Sequence, residues 1–271
     1  KRSLLAKIES SYGSDPTATG SANYVEVVDL EIEPVASDEV EQETIRPYPG
    51  NYPVLLANTR VNVSFGVYMV GSGSAGTAPK YDPILLASGL SKAVVSSTSV
   101  TYTPSTLATQ SSVTLYVNYD GVRHKVTGCR GTFSISCAVN EIPRINFEMQ
   151  GIFNTPTDTA LPTVTKSLQP DPVLFKNGNT SSFSVFGFSA ALQSWELDFA
   201  NEVIYRELVG GTKEALITDR RPSGTMVIEA VALSDKNFFT TATGTSTGTN
   251  TWVHSGGAGN IVTVSCPQTD L

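Results

Sequence analysis

Histidine is almost missing from this chain, with His124 and His254 the only two. That leaves no histidine cluster for a metal and little material for a Ser-His-Asp arrangement, so both are expected at the surface. Cysteine is nearly as scarce. Cys129, Cys137 and Cys266 are odd in number and their spacings fit neither a disulfide framework nor a zinc pattern, so they are expected as small buried apolar residues. Charged residues make up only 16% of the chain, and the 18 cations are outnumbered by 25 acids, for a net charge of −7. Proteins that grip nucleic acid by its phosphates need a basic patch, and this balance argues against one. No apolar run approaches the roughly 18 residues of a membrane span. Lys1–Leu5 opens no secretory signal, and a soluble protein in a reducing compartment is expected.

What is abundant is strand and turn material. Hydrophobic residues reach 40%, and short runs of Val, Ile, Leu, Phe and Tyr are separated by Ser/Thr-rich stretches, 22 Gly and 15 Pro. The fold class is all-β. A short helix is expected over Ser3–Tyr12, and Gly13–Ala22 cannot build a core, so 1–21 reads as an N-terminal arm. Apolar residues alternate over Tyr24–Val35 and Asn58–Val70, most cleanly at Val61, Val63, Phe65, Val67 and Met69. Asp82-Pro83 ahead of Ile84-Leu85-Leu86 predicts a short helix to about Ser88, stopped by Gly89. Strands follow at Val113–Tyr119, Arg123–Cys129, Thr132–Val139 and Ile145–Phe153, with a turn at Asp120-Gly121. Residues 22–153 form a first β domain, the Pro- and Thr-rich 154–171 a linker, and 172–271 a second β domain.

The second half repeats the first in character. Leu30-Glu31-Ile32-Glu33 matches Trp195-Glu196-Leu197-Asp198. After a two-residue contraction the offset is constant at 163, setting Glu39-Val40 on Glu202-Val203, Val54 on Ile217, and Val63, Phe65 and Val67 on Met226, Ile228 and Ala230. Short helices at Asp82–Ser88 and Asp235–Thr241 then correspond. The second copy lacks a counterpart of Ile145–Phe153, which predicts an open sheet edge covered by another chain or by sequence beyond Leu271.

Chemistry-bearing motifs are weak. Gly71-Ser72-Gly73-Ser74-Ala75-Gly76 satisfies G-x-G-x-x-G, but Thr77–Pro83 delays any helix that would receive a pyrophosphate, and no acidic residue follows at ribose distance. It reads as a flexible loop. Asp38, Glu39, Glu41 and Glu43 lack the convergence that catalytic carboxylates or a cation site require, and with Glu202 and Glu207 they read as a repeated acidic surface, lining a lumen or facing another subunit. Asp219-Arg220-Arg221 is the one compact mixed-charge motif and reads as an inter-subunit or turn-stabilising contact rather than a phosphate site. No catalytic site, metal or cofactor is expected.

Three segments carry a resemblance. Leu4–Pro16, Gly71–Leu90 and the pair Thr132–Ser136 and Ile142–Gly151 look, in that order, like tail tube (major tail) proteins of long-tailed, non-contractile bacteriophages. The resemblance implies β-sandwich domains with a flanking helix, whose sheets join around a ring into an inner β-barrel. It implies stacked homo-oligomeric rings around a channel that holds a tape-measure protein and then passes DNA without binding it specifically. Tail terminator and distal tail proteins are the implied partners at the tube ends. Family rings show six domains, so a duplicated subunit implies a trimer and a single-copy subunit a hexamer. The implied location is the virion tail, after assembly in the bacterial cytoplasm. The alternative from the same β-rich composition is another virion protein: a tail terminator, capsid decoration or fibre domain.

Overall fold

The computed structural model describes residues 1–166 and 169–271. Strands take up 52% of the chain and helices 6%, so the fold is all-β as expected. In chain order the elements are β1 (Arg2–Ile8), α1 (Gly20–Asn23), β2 (Tyr24–Val25), β3 (Val28–Glu41), β4 (Val54–Tyr68), α2 (Asp82–Ala87), β5 (Leu90–Val95) and β6 (Ser99–Pro104). Then follow β7 (Val113–Tyr119), β8 (Val122–Ala138), β9 (Arg144–Phe153), β10 (Thr157–Asp158), β11 (Thr180–Val185) and β12 (Leu192–Asp198). The chain ends with β13 (Asn201–Glu207), β14 (Lys213–Arg220), β15 (Ser223–Ile228), α3 (Phe238–Ala242), β16 (Gly248–Ser255) and β17 (Ile261–Thr269).

One ten-stranded sheet organises the molecule. Its main path is β2-β1-β7-β8-β9-β4-β3, and β12 adds beside β8 with β15 beyond it. All these pairings are antiparallel. The 17 residues of β8 make this possible, because its first part pairs with β7 and its last part with β12. Between them the register against β9 shifts from Thr127 to Arg130. Gly128 sits in this bulge at φ +62°, and a Cβ there would lie 2.7 Å from the Tyr12 ring. Bulges bend a strand. The sheet curls until Arg2 on β1 donates to the Leu30 carbonyl of β3 at 3.3 Å.

Inside the curl, Val61, Val63, Phe65 and Val67 of β4 meet Ile145, Phe147 and Met149 of β9 and Phe133, Ile135 and Cys137 of β8. Leu4 and Ala6 of β1 and Val113, Leu115 and Val117 of β7 supply the opposing wall, and α2 contributes Ile84, Leu85 and Ala87. Each fully buried large side chain is worth about 1.5–3 kcal/mol of transfer free energy. A smaller sheet, β11-β16-β17, packs through Trp252 and Val185 onto the same core.

Several expectations change. Ser3–Tyr12 begins as strand β1, because Leu4-Leu5-Ala6 is buried on both faces and pairs with β7 along its length. The expected N-terminal arm is therefore, in its first residues, part of the core. Arg123–Cys129 and Thr132–Val139 are one strand, β8. α2 lies where Asp82-Pro83 predicts a helix. The later helix, α3, is shorter and starts after Asn237, whose side chain accepts from the Thr240 N–H at 3.0 Å. Cys129 and Cys137 are buried and Cys266 is half-buried. His254 is buried rather than at the surface.

Two long hairpins repeat within this fold. In the first, Glu31 pairs with Ser64, Ile32 with Val63, Glu33 with Asn62 and Glu39 with Leu56. In the second, Ser194 pairs with Val227, Trp195 with Met226, Glu196 with Thr225 and Glu202 with Asp219. Both partners of each pair advance by 163, as in 195 − 32 and 226 − 63. The contraction expected from sequence is absent: Ile32, not Leu30, is the counterpart of Trp195.

Candidate functional site: a polar sheet face between two open edges

Strand alternation sends side chains to opposite faces of a sheet. Along β8, Phe133, Ile135 and Cys137 are buried while Thr132, Ser134 and Ser136 are half-buried on the other face. The pairings carry this division across β3-β4-β9-β8-β12-β15. One cross-strand row reads Glu31, Ser64, Glu148, Thr132. A second reads Asn146, Ser134, Asp198, Ser223, and a third reads Arg144, Ser136, Glu196, Thr225. The face is thus hydroxyls and carboxylates, with Glu33 and Asn62 joined at 2.7 Å.

Its charge is negative. Arg144 is engaged by Asp29 at 2.9 Å and Arg60 by Asp38 at 3.2 Å. Among the described residues no ion pair neutralises Glu31, Glu33, Glu148, Glu196 or Asp198. At one end, Asn201 and Val203 of β13 bound a groove of about 610 Å³ floored by this face.

Both ends of the path are open. Among the described residues β3 pairs only with β4, and β15 only with β12. Strands alternate in direction along the path, so β3 and β15 run antiparallel to each other. An unpaired strand edge is a template for another chain.

The β13–β14 hairpin is held differently, by side chains from the first half. The Tyr12 hydroxyl accepts from the Ala215 N–H at 2.7 Å, and Gln110 both donates to the Ile217 carbonyl and accepts from its N–H. Arg130 donates to the carbonyls of Ala215, Gln110 and Ser111 while lying over the Tyr12 ring. Burial raises the Tyr12 phenol well above its ordinary range and lowers the Arg130 guanidinium.

The sequence-derived residues fall in three groups. Asp38, Glu39 and Glu41 are on β3 itself, Glu43 lies just past its end, and all four are exposed. Bonds from Asn58 and Arg60 hold the Asp38 carboxyl below the usual range. Glu39 and Glu202 occupy equivalent hairpin positions, and Glu207 is paired with Lys213 at 2.9 Å. Asp219 and Arg221 pair with each other at 2.9 Å. Arg220 turns the other way: it bonds Asn201 Oδ1 and the Gly89 and Ser105 carbonyls and lies over Phe199, so its guanidinium braces its own chain. The Gly71–Gly76 loop packs with Gly71 N–H on Asn260 Oδ1 and Gly73 N–H on the Gly259 carbonyl.

Sequence reasoning missed the carboxylates of the flat face. Glu31, Glu33, Glu148, Glu196 and Asp198 each alternate with a buried or half-buried apolar residue, and that period was the available signal.

Among the described residues no group of three or more His, Cys, Asp or Glu side chains is placed to hold a metal ion, and no helix is long and apolar enough to cross a membrane. A family model described as phage tail tube protein matches residues 1–270. No curated protein matches the chain.

Proposed function

We propose, from the premise that this chain belongs to the phage tail tube protein family, that it closes head to tail into rings through β3 and β15 and so builds the wall of a channel. It is a structural component of the phage tail, and the family implies a multimeric tube. Its role in this reading is structural rather than enzymatic.

The observation that carries the proposal is the six-strand path with open ends. Because strand direction alternates over an even number of strands, β15 of one copy laid beside β3 of the next continues the antiparallel pattern without a break. The same step repeated makes a heterologous interface that closes into a ring if the rotation allows. Closure pairs both edges and produces the continuous inner barrel. The polar face then lines the lumen, with Glu31, Glu33, Glu148, Glu196 and Asp198 on the wall. A wall that is acidic and poor in free cations repels DNA phosphates, and this suits a conduit through which DNA slides. In this reading the tape-measure protein occupies the lumen before DNA does, and terminator and distal tail proteins cap the tube.

The acidic residues singled out from sequence belong, in this reading, to the hairpin ends: Asp38, Glu39, Glu41 and Glu43 on one hairpin, Glu202 and Glu207 on the other. These ends reach past the flat sheet and are suited to inter-subunit contact. The repeated hairpins favour two units per chain, 22–153 and 172–271 joined by 154–171, and hence three chains per ring with pseudo-sixfold symmetry. Assembly in the host cytoplasm follows from the same reading.

Electron microscopy of purified protein, with the mass of an isolated ring divided by 28.8 kDa, tests both points. Stacked rings with a central hole and a mass of three subunits are expected. Isolated knobs or rods overturn the tube reading, and six subunits overturn the pseudo-sixfold one.

A further inference from the structure

Three alternate residues of β16, Asn250, Trp252 and His254, point inward and are at least nine-tenths buried. Asn250 Oδ1 and Trp252 Nε1 end buried without a hydrogen-bond partner among the described residues, and His254 Nε2 makes no well-formed bond, with only the Val173 carbonyl near the ring. Buried polar groups are normally paired, so a row of three marks an interface with little reserve. The rest of the contact is aromatic. Trp252 meets Trp195 and Phe175 edge-on, each at 5.4 Å between ring centroids, and His254 stacks on Phe175 at 6.0 Å. On the far side, β17 has no fully buried residue, so β16 and β11 supply most of the attachment.

Among the described residues no carboxylate faces His254. β11 contributes the Thr180 hydroxyl, 3.0 Å from Nδ1, and β17 contributes Val262 opposite it. The segment before β11 contributes Phe175 and the Val173 carbonyl. The charged residues of these neighbouring segments, Asp171, Lys176 and Glu141, are exposed, and none bears on the ring. Burial lowers the imidazole's proton affinity, and the Val173 carbonyl offsets only part of this.

We infer that the β11-β16-β17 sheet is latched to the main sheet by an acid-labile interface, and that a proton on His254 releases it. The sign follows from linkage. A histidine whose folded pKa lies below its unfolded value lets the open state take the proton first, so the closed state is favoured at neutral pH and weakens as pH falls below about 6.5. An imidazolium here is buried with no carboxylate facing it among the described residues, which makes the closed state costly. Burial lowers the proton affinity of His124 as well, but that ring is only half-buried on β8 beside Tyr119 and has no part in the aromatic contact around Trp252.

The chain carries its own reporters, since its only two tryptophans, Trp195 and Trp252, both sit in this interface. In full-length protein titrated from pH 8 to pH 5, tryptophan emission should shift to the red and become more accessible to acrylamide, while the far-ultraviolet strand signal persists. His254→Phe should abolish the shift and His124→Asn should leave it unchanged. Hydrogen exchange on the unaltered protein gives a second readout: amides of β11, β16 and β17 should lose protection in acid relative to those of β4 and β9. The same transition in His254→Phe overturns the inference. If that variant does not fold, undiminished protection of β16 in the unaltered protein at acid pH does so.

Discussion

The guanidinium of Arg130 donates to the carbonyl of Ala215 at 2.7 Å, joining β8 to a hairpin 85 positions away in the chain. It also serves the Gln110 and Ser111 carbonyls, and the Ala215 N–H is taken by Tyr12. Arg130→Met should cost about 2–4 kcal/mol, since it strands buried acceptors that each carry a penalty of about 1–3 kcal/mol, partly relieved by water. Tyr12→Phe, which strands a single N–H, should cost about 1–2 kcal/mol. Urea denaturation of the two variants checks the order.

Asp15 predicts a dependence on pH. Burial works to raise its carboxyl, but the Tyr116 hydroxyl, the Thr17 N–H and Lys125 outweigh that and hold it below the ordinary range. A depressed folded pKa gives stability that is present above the unfolded value of about 3.9 and lost as pH falls through the folded one. Asp15→Asn should therefore cost no more than about 1 kcal/mol at pH 7, because the group is partly solvated. The gap between variant and unaltered protein should close by pH 2. A gap that widens in acid would contradict the assignment.

Much of this fold is legible in the chain. The alternation at Val61, Val63, Phe65 and Val67 marks β4, Asp120-Gly121 marks the turn between β7 and β8, and Asp82-Pro83 marks α2. β1 was not legible, because Leu4-Leu5-Ala6 has no period of its own, and its partner β7 lies more than a hundred residues on. The acidic face was legible only strand by strand. That Glu148 and Glu196 share a surface depends on the β8–β12 pairing, which no local pattern encodes. Arg220 and Arg221 look alike in sequence, yet Arg220, the last residue of β14, turns inward to Asn201, while Arg221, just past the strand, pairs outward with Asp219.

The paired hairpins predict unequal costs at equivalent positions. Trp195 and Ile32 correspond at the offset of 163, but Trp195 is buried against Trp252 while Ile32 is half-buried. Trp195→Ala should cost about 3–5 kcal/mol, and Ile32→Ala less than the 2–5 kcal/mol seen at fully buried sites. Thermal denaturation of the two variants measures the difference. Equal losses would mean that the second hairpin has no greater share in the core than the first.

The sign of a charge on β15 should decide whether rings form. If β15 of one copy lies beside β3 of the next, the exposed side chains of Thr225 and Val227 join the sheet face that carries Glu31 and Glu33 at the junction. Like charges directly opposite on paired strands cost about 0.2–1 kcal/mol per pair, and opposite charges contribute about as much in favour. The double variant Thr225→Glu/Val227→Glu adds two carboxylates to that acidic face at every junction, for a total of about 0.4–2 kcal/mol, or about a two- to thirtyfold loss in association at each junction. The double variant Thr225→Lys/Val227→Lys sets two attractions in the same places and should assemble at least as well as the unaltered protein. Neither pair faces the core, but Thr225 lies opposite Glu196 within its own chain, so the glutamate variant should lose up to about 1 kcal/mol of monomer stability and the lysine variant should lose none. Size-exclusion chromatography with light scattering reads the ring fraction. Equal damage from glutamate and lysine would mean that β15 meets something other than the acidic edge of β3, and head-to-tail closure through these strands would be wrong.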